Sequence, residues 1–334
     1  MVTVVFDGAC FGDGPITGVG RAFLNGLTAF AEIEQRCVLL VPGGASVPPV
    51  AGVEFVEAPR GALRRQLVVP RLLRQLRADV LHSAVAAVPL RAGCPTIATV
   101  HDLPWLHPEL DERTSAWRAF ATKRALRAAT AIVSPSAFTA RDVGRLLGAS
   151  APPVHVIPHG TGVSAEAGNP AQRSGPLLVL GDDRPRKNRE AVRKAHALAR
   201  QQCPGLPELR FVGPPDDYVS EADKLQLLRS CRAVVQCSLF EGFGMPVIEA
   251  LANRAPVLCA DIPPFREIAD DHPAACALFV DARSVEAIAE GMVRIHRDDD
   301  LRAFLAVAGW SRASSFRSSN TAARWQRLHA GLAP

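Results

Sequence analysis

Long apolar runs, paired cysteines and aromatic clusters are all missing from these 334 residues. Nowhere do about 18 apolar residues stand together, so no transmembrane helix is expected. The opening MVTVVFDGAC has neither a basic n-region nor a long apolar h-region, and no secretory signal is expected from it. The eight cysteines (10, 37, 94, 203, 231, 237, 259 and 276) are scattered without C-x-x-C spacing. They read as small buried residues in a reducing compartment, which excludes a disulfide framework and a zinc site. Lysine is scarcer still: four residues against 34 arginines among 38 basic ones, a bias that reads as genome composition rather than function. The net charge of +5 comes without interleaved aromatics, so no nucleic-acid partner is expected. No D-x-D metal site is indicated either, and Asp298 to Asp300 reads as a solvated turn.

What is present describes a globular chain. Hydrophobic residues make up 48% and charged ones 21%, and the length suggests roughly two domains. Short apolar runs at Val2 to Phe6, Cys37 to Val41, Val53 to Val56, Val80 to His82, Thr96 to Val100, Ala131 to Ser134 and Val154 to Ile157 read as strands. Helical patterns fall between several of them. From Thr161 to Pro176 the composition shifts to Gly, Ser, Ala, Pro and Asn without periodicity, which marks a boundary. Alternation restarts at Leu177 to Leu180 and runs to a last helix at Asn320 to Leu332. The expected domains are 1–165, 166–319 and a returning helix over 320–334.

The second half is organised around Ser238 to Glu267. Ala233 to Cys237 reads as a short buried strand, Glu241-Gly242-Phe243-Gly244 breaks it, and Pro246 suits the start of a helix carrying Val247 to Ala252. A glycine loop opening a helix offers backbone N–H groups and a positive dipole end to phosphate, here along Gly242, Phe243, Gly244, Met245, Pro246 and Val247, of which Pro246 has no N–H to give. Glu241 flanks that site, and Glu249 follows one turn into the helix, where a carboxylate can accept both hydrogens of a vicinal diol such as a ribose. Upstream, Arg186 and Lys187 precede a helix at Arg189. They are either solvated charges or cations that want a compensating anion, since cations there oppose the macrodipole.

Two features of the first half remain open in the same way. Gly18 and Gly20, before an apolar helical pattern, mark an anion site or a flexible turn. His101-Asp102 stands just past a strand end, where open α/β sheets place their chemistry, or merely caps a turn. The stretch Arg60 to Arg77 carries arginines at 60, 64, 65, 71, 74 and 77 beside a leucine stripe, with Pro70 dividing it. It reads as a solvated helix face or as a basic amphipathic surface resting on anionic membrane.

Glu241-GFGMPVI-Glu249 resembles the Glu-x7-Glu motif of retaining GT-B glycosyltransferases of the large family 4. The resemblance extends over almost the whole chain through Thr17-Gly18-Val19-Gly20-Arg21, His101-Asp102 with His107-Pro108-Glu109, Ser134-Pro135-Ser136, Ile157-Pro158-His159-Gly160, Pro185-Arg186-Lys187-Asn188 and Asp261-Ile262-Pro263. It implies an α/β GT-B fold, with two Rossmann-like domains facing across a cleft and a C-terminal helix crossing back to the first. It implies that Glu249 holds the ribose, that Glu241 contacts the transferred sugar and that Arg186 and Lys187 neutralise the diphosphate. By the same resemblance, His101 touches the sugar and the Gly18 to Gly20 loop meets the phosphates. Asp182 departs from the pattern, since many relatives carry Arg there, and so does Cys237, where a Pro is frequent.

The implied reaction is retaining transfer of a hexose from a nucleotide-diphosphate sugar, GDP-mannose or a GDP-deoxyhexose foremost, to a glycan or lipid-linked acceptor. Cations and a helix N-terminus stabilise the departing diphosphate, so no metal or other cofactor is expected. The chain is expected in the cytoplasm or on the inner face of the membrane. A GT-B epimerase or phosphorylase and a catalytically idle sugar-binding subunit are the alternatives. A nicotinamide oxidoreductase is set aside, because the Gly18-Val19-Gly20 stretch lies too far from the first strand and lacks the acidic partner.

Overall fold

The computed structural model describes residues 2–33, 35–61, 63–162, 173–215, 217–270 and 274–333. The chain forms two compact units, Met1–Gly160 with Ser318–Pro334, and Thr161–Arg317. The boundary expected at 165 falls among residues 163–172, outside the described residues.

Unit 1 opens with β1 (Thr3–Asp7), α1 (Gly18–Ala31), β2 (Arg36–Pro42), β3 (Val53–Ala58), α2 (Val69–Leu76), β4 (Val80–Ser83) and β5 (Thr96–Thr99). It continues with α3 (Ala116–Ala128), β6 (Ala131–Ser134), α4 (Ala137–Leu147) and β7 (Val154–Val156). The seven strands are parallel in the order β3-β2-β1-β4-β5-β6-β7. Strands covered on both faces read as continuous apolar runs, and β1, β4, β5 and β6 are buried throughout. The order reverses between β1 and β4, β1 being flanked by β2 on one edge and β4 on the other: Val5 meets Val38 of β2 and Leu81 of β4. The arginine-rich stretch is helical from Arg64, a π-turn over Arg64–Val68 running into α2. Pro70 does not divide it. It occupies the first turn of α2, where its missing N–H removes no helical bond.

Unit 2 contains β8 (Leu177–Leu180), α5 (Arg189–Gln202), β9 (Leu209–Val212), α6 (Glu221–Ser230), β10 (Ala233–Gln236) and α7 (Met245–Ala252). Then come β11 (Val257–Ala260), α8 (Pro263–Ala269), β12 (Leu278–Val280), α9 (Val285–Arg297) and α10 (Asp299–Ala313). Its five parallel strands take the order β12-β11-β10-β8-β9. The first crossover runs outward from β8 to β9 and the next returns to β10 on the other side, so the sheet switches direction between β8 and β10. Crevices at such switch points are where open α/β sheets hold ligands.

The last helix, α11 (Ser318–Leu332), belongs to unit 1 and begins two residues before the expected position. Trp325, 2% exposed, packs on Phe6 and Phe23 at 5.9 and 5.8 Å between ring centroids. Gly26 of α1 makes this possible: a Cβ there would lie 2.5 Å from the Trp325 ring.

Candidate active site

The switch point of unit 2 is built from the turns that follow β8 and β10. Beyond β8 the chain makes a short 3-10 turn over Pro185–Lys187 and passes through Asn188 at φ 58° into α5. Asn188 Nδ2 donates to the carbonyls of Cys237 at 3.1 Å and Ala282 at 2.7 Å. The Leu239 N–H donates to the Arg186 carbonyl at 2.8 Å. These bonds tie the two turns together and set Lys187 beside Glu241, with Nζ 2.7 Å from Oε1.

Ser238 Oγ donates to the same carboxylate oxygen at 2.8 Å, and Gln236 Nε2 donates to Ser238 Oγ at 3.0 Å. The ion pair is buried, with the two side chains 11% and 8% exposed. Burial by itself raises the Glu241 pKa. The Lys187 charge and hydrogen bond, then the Arg186 charge and the Ser238 hydroxyl, outweigh it and hold the carboxyl below its ordinary 4.5.

Neither cation is a solvated surface charge. Arg186 is 4% exposed, its guanidinium carbon 5.8 Å from the centroid of the Phe240 ring. Asp182 is tied to the Arg184 guanidinium at 2.7 Å. The negative charge it adds to this loop is thereby offset locally.

At the other end of the motif, Gly244 adopts φ 131°, and a Cβ there would meet Phe265 at 2.7 Å. Only glycine fits both the conformation and the space. Pro246 takes the second position of α7. The Val247 N–H donates to the Gly244 carbonyl at 3.0 Å, so the expected row of phosphate donors is already committed at its far end. Glu249, in the second turn of α7, receives the ammonium of Lys224 at 2.9 Å, and Lys224 also pairs with Glu221 at 3.0 Å. Lys224 is 7% exposed, a buried cation that sequence reasoning missed. One signal was available: a chain that uses arginine 34 times kept only four lysines, and two of them, Lys187 and Lys224, pair with the two glutamates of the motif.

In unit 1, His101 lies just past β5. Its Nε2 is 2.8 Å from the Ala84 carbonyl beyond β4, its Nδ1 is 3.0 Å from His159 Nε2 beyond β7, and the rings stack at 5.0 Å. Burial pushes the His101 pKa below 6.5, against the opposing pull of the Ala84 carbonyl and Asp102. Burial and the neighbouring His101 push His159 well below it. Both rings are therefore neutral near pH 7. His107 lies 2.8 Å from the Asp142 carboxylate and is stacked on Phe138.

Gly18 and Gly20 form the first turn of α1, where Thr17 caps the helix by accepting from the Gly20 N–H at 3.3 Å. The loop before it, Cys10 to Thr17, lines a cavity of about 310 Å³ together with Ser46. Of the arginines between 60 and 77, Arg60 pairs with Asp13 and Arg64 with the buried Asp7 at 2.7 Å. Arg71, Arg74 and Arg77 remain exposed.

The family model "Glycosyltransferase Family 4" matches residues 16–164, and "Glycosyl transferases group 1" matches residues 177–309. The O-antigen chain mannosyltransferase B of Escherichia coli is 30% identical over 112 residues, 34% of this chain and 27% of that protein. The phosphatidyl-myo-inositol mannosyltransferase of Mycobacterium leprae (strain TN) is 32% identical over 138 residues, 40% of this chain and 35% of that one. These matches thus span about a quarter to a third of each relative.

Among solved structures, the sucrose-phosphate synthase of Thermosynechococcus elongatus superposes with a TM-score of 0.78 at 16% identity, covering 99% of both chains. HepE of Anabaena, solved in complex with UDP and glucose, gives 0.72 at 16% identity over 99% of this chain and 100% of that one. Identities this low establish a shared fold. The two family models together match most of each unit, and the chain belongs to the GT-B glycosyltransferases of the family 4 type.

Proposed function

We propose that the protein transfers a hexose, mannose foremost, from a nucleotide-diphosphate sugar to a glycan or lipid-linked acceptor with retention of anomeric configuration. The observation that carries this reading is the buried pairing of Lys187 with Glu241 and of Lys224 with Glu249 at the switch point of the unit 2 sheet. Two carboxylates, each paired with an ammonium group, are suited to accepting sugar hydroxyls, Glu249 from the ribose and Glu241 from the hexose. Lys187, with Arg186 behind it and the turn Gly242 to Val247 beside it, would meet the diphosphate.

Charge grows on that diphosphate as the glycosidic bond breaks, so a fixed cation there stabilises the transition state more than the bound donor. In front-face transfer the leaving phosphate oxygen accepts the proton of the attacking hydroxyl, and no carboxylate needs to act as base. In unit 1, His101 would contact the hexose as a neutral ring. The Gly18 to Gly20 turn would meet the phosphates, and nothing lies within 4 Å of the space a Cβ on Gly18 would fill. The lean toward mannose rests on the mannosyltransferases among the relatives.

The test is a panel of GDP- and UDP-hexoses with polyprenyl-linked and free glycan acceptors, reading nucleoside diphosphate release and the anomeric configuration of the product by NMR. Transfer from GDP-mannose with the donor's configuration kept is expected. Inverted product, or release that is indifferent to acceptor, would overturn the mechanism.

For the lipid-linked acceptor we further propose a cytoplasmic chain resting on anionic membrane through Arg71, Arg74 and Arg77, with Leu63 and Leu67 (61% and 47% exposed) entering the headgroup layer. No helix among the described residues is long and apolar enough to cross a membrane. Salt-sensitive sedimentation with phosphatidylglycerol vesicles is expected, and its absence at low salt would end this proposal.

A further inference from the structure

Four consecutive strand ends of unit 1 converge on one residue, His101. His101 itself follows β5, and Ala84, which follows β4, offers its carbonyl to Nε2 at 2.8 Å. Thr139, in the first turn of α4 after β6, donates its hydroxyl to the His101 carbonyl at 3.3 Å. His159, after β7, faces Nδ1 at 3.0 Å with its Nε2. A carbonyl oxygen only accepts, so the hydrogen of the neutral His101 ring sits on Nε2 and Nδ1 presents its lone pair. His159 Nε2 must then carry a hydrogen and donate it.

The chain of donors runs one way: His159 Nε2–H to His101 Nδ1, and His101 Nε2–H to Ala84 O. Turning the His101 ring over would put carbons where Nδ1 and Nε2 stand and break both bonds at once. The stacked rings, nearly parallel at 26°, hold the plane, and the two hydrogen bonds hold the rotation within it.

From this geometry we infer that His159 is a positioning residue for transfer, fixing the tautomer and orientation of His101 through a hydrogen bond that only a donor at residue 159 supplies. The inference rests on the role given to His101 above. Outer partners that fix a functional imidazole in this way act on its tautomer and aim, and their loss weakens function without unfolding the protein.

The test compares His159→Phe, which keeps a flat ring but no donor, with His159→Gln, whose amide N–H can reach the same place. Transfer from GDP-mannose and nitrogen-15 shifts of the His101 ring are measured in each full-length variant. His159→Phe is expected to melt near wild type, to lose roughly 10- to 100-fold in kcat with donor KM little changed, and to show His101 in mixed tautomers. His159→Gln is expected to restore both the Nε2–H tautomer and most of the turnover.

Unchanged tautomer and kcat in His159→Phe would overturn the inference, as would failure of His159→Gln to restore either. His101→Asn separates the two levels. If that variant turns over normally, the role of His101 in transfer falls. If it loses transfer while His159→Phe does not, the positioning inference falls alone.

Discussion

Lys187→Met removes the ammonium that lies 2.7 Å from Glu241 and leaves an apolar chain of similar length. At 2.7 Å the attraction within the pair is about 6 kcal/mol for an effective dielectric constant of about 20. Desolvation of two buried side chains cancels much of that, and removing one partner of a buried pair costs roughly 3–5 kcal/mol. The Ser238 hydroxyl and the Arg186 charge still act on Glu241, which places the expectation at the lower end, about 3 kcal/mol.

The pH dependence carries a sign. In the wild type the Glu241 pKa lies below its ordinary 4.5, so the pair's stabilisation is present above 4.5 and is lost as pH falls through the lower folded value. In the variant burial is opposed less, the folded pKa rises, and the deficit is largest at neutral pH and shrinks on acidification. Urea unfolding of the variant at pH 8 and pH 5 measures it. The double variant Lys187→Met/Glu241→Gln is expected to recover most of the stability and none of the transfer. An unchanged urea midpoint at pH 8, or transfer regained by the double variant, would refute the reasoning.

Lys224→Met strips Glu249 of its partner, and donor KM is expected to rise more than kcat falls, as steady-state kinetics with GDP-mannose will show. Gly244→Ala forces a side chain into φ 131° and against Phe265, at a cost of roughly 1–3 kcal/mol, and calorimetry should show a lower Tm together with weaker donor binding. Gly26→Ala drives a methyl into Trp325 for roughly 1–3 kcal/mol, and the smaller side chain of Trp325→Leu in the double variant should return part of that loss. Burial holds His329 down to about 3, and burial with the charges of His329 and His101 holds His82 well below its ordinary 6.5. Both groups favour the folded state fully above 6.5, and the stability of unit 1 is expected to fall from pH 6.5 downward. His329→Leu should flatten that slope in acid titrations followed by circular dichroism.

Local chemistry was legible in the sequence wherever its cause lies within a few residues. Strand runs such as Val2 to Phe6 and the glycine turn ahead of α7 follow from periodicity, turn residues and spacing, and the order of the motifs from Gly18 to Glu267 was legible through the family resemblance. Even there, Pro70 misled, because a π-turn ahead of α2 lets it enter a helix start instead of breaking a helix. Which side chains meet was another matter. Lys224 reaches Glu249 across 25 residues, and His159 reaches His101 across 58.

Arg186 is buried against Phe240 although it stands in a loop rich in charged residues, and a long helix at the end of the chain finds Gly26 near the beginning. These pairings depend on strand order. The sheet of unit 2 reverses between β8 and β10 and that of unit 1 between β1 and β4, and no period or spacing states on which side of a strand the next one is laid. The sequence by itself thus determined the elements and the residue types of the site. The tertiary structure alone decided their partners, because burial and long-range packing set them.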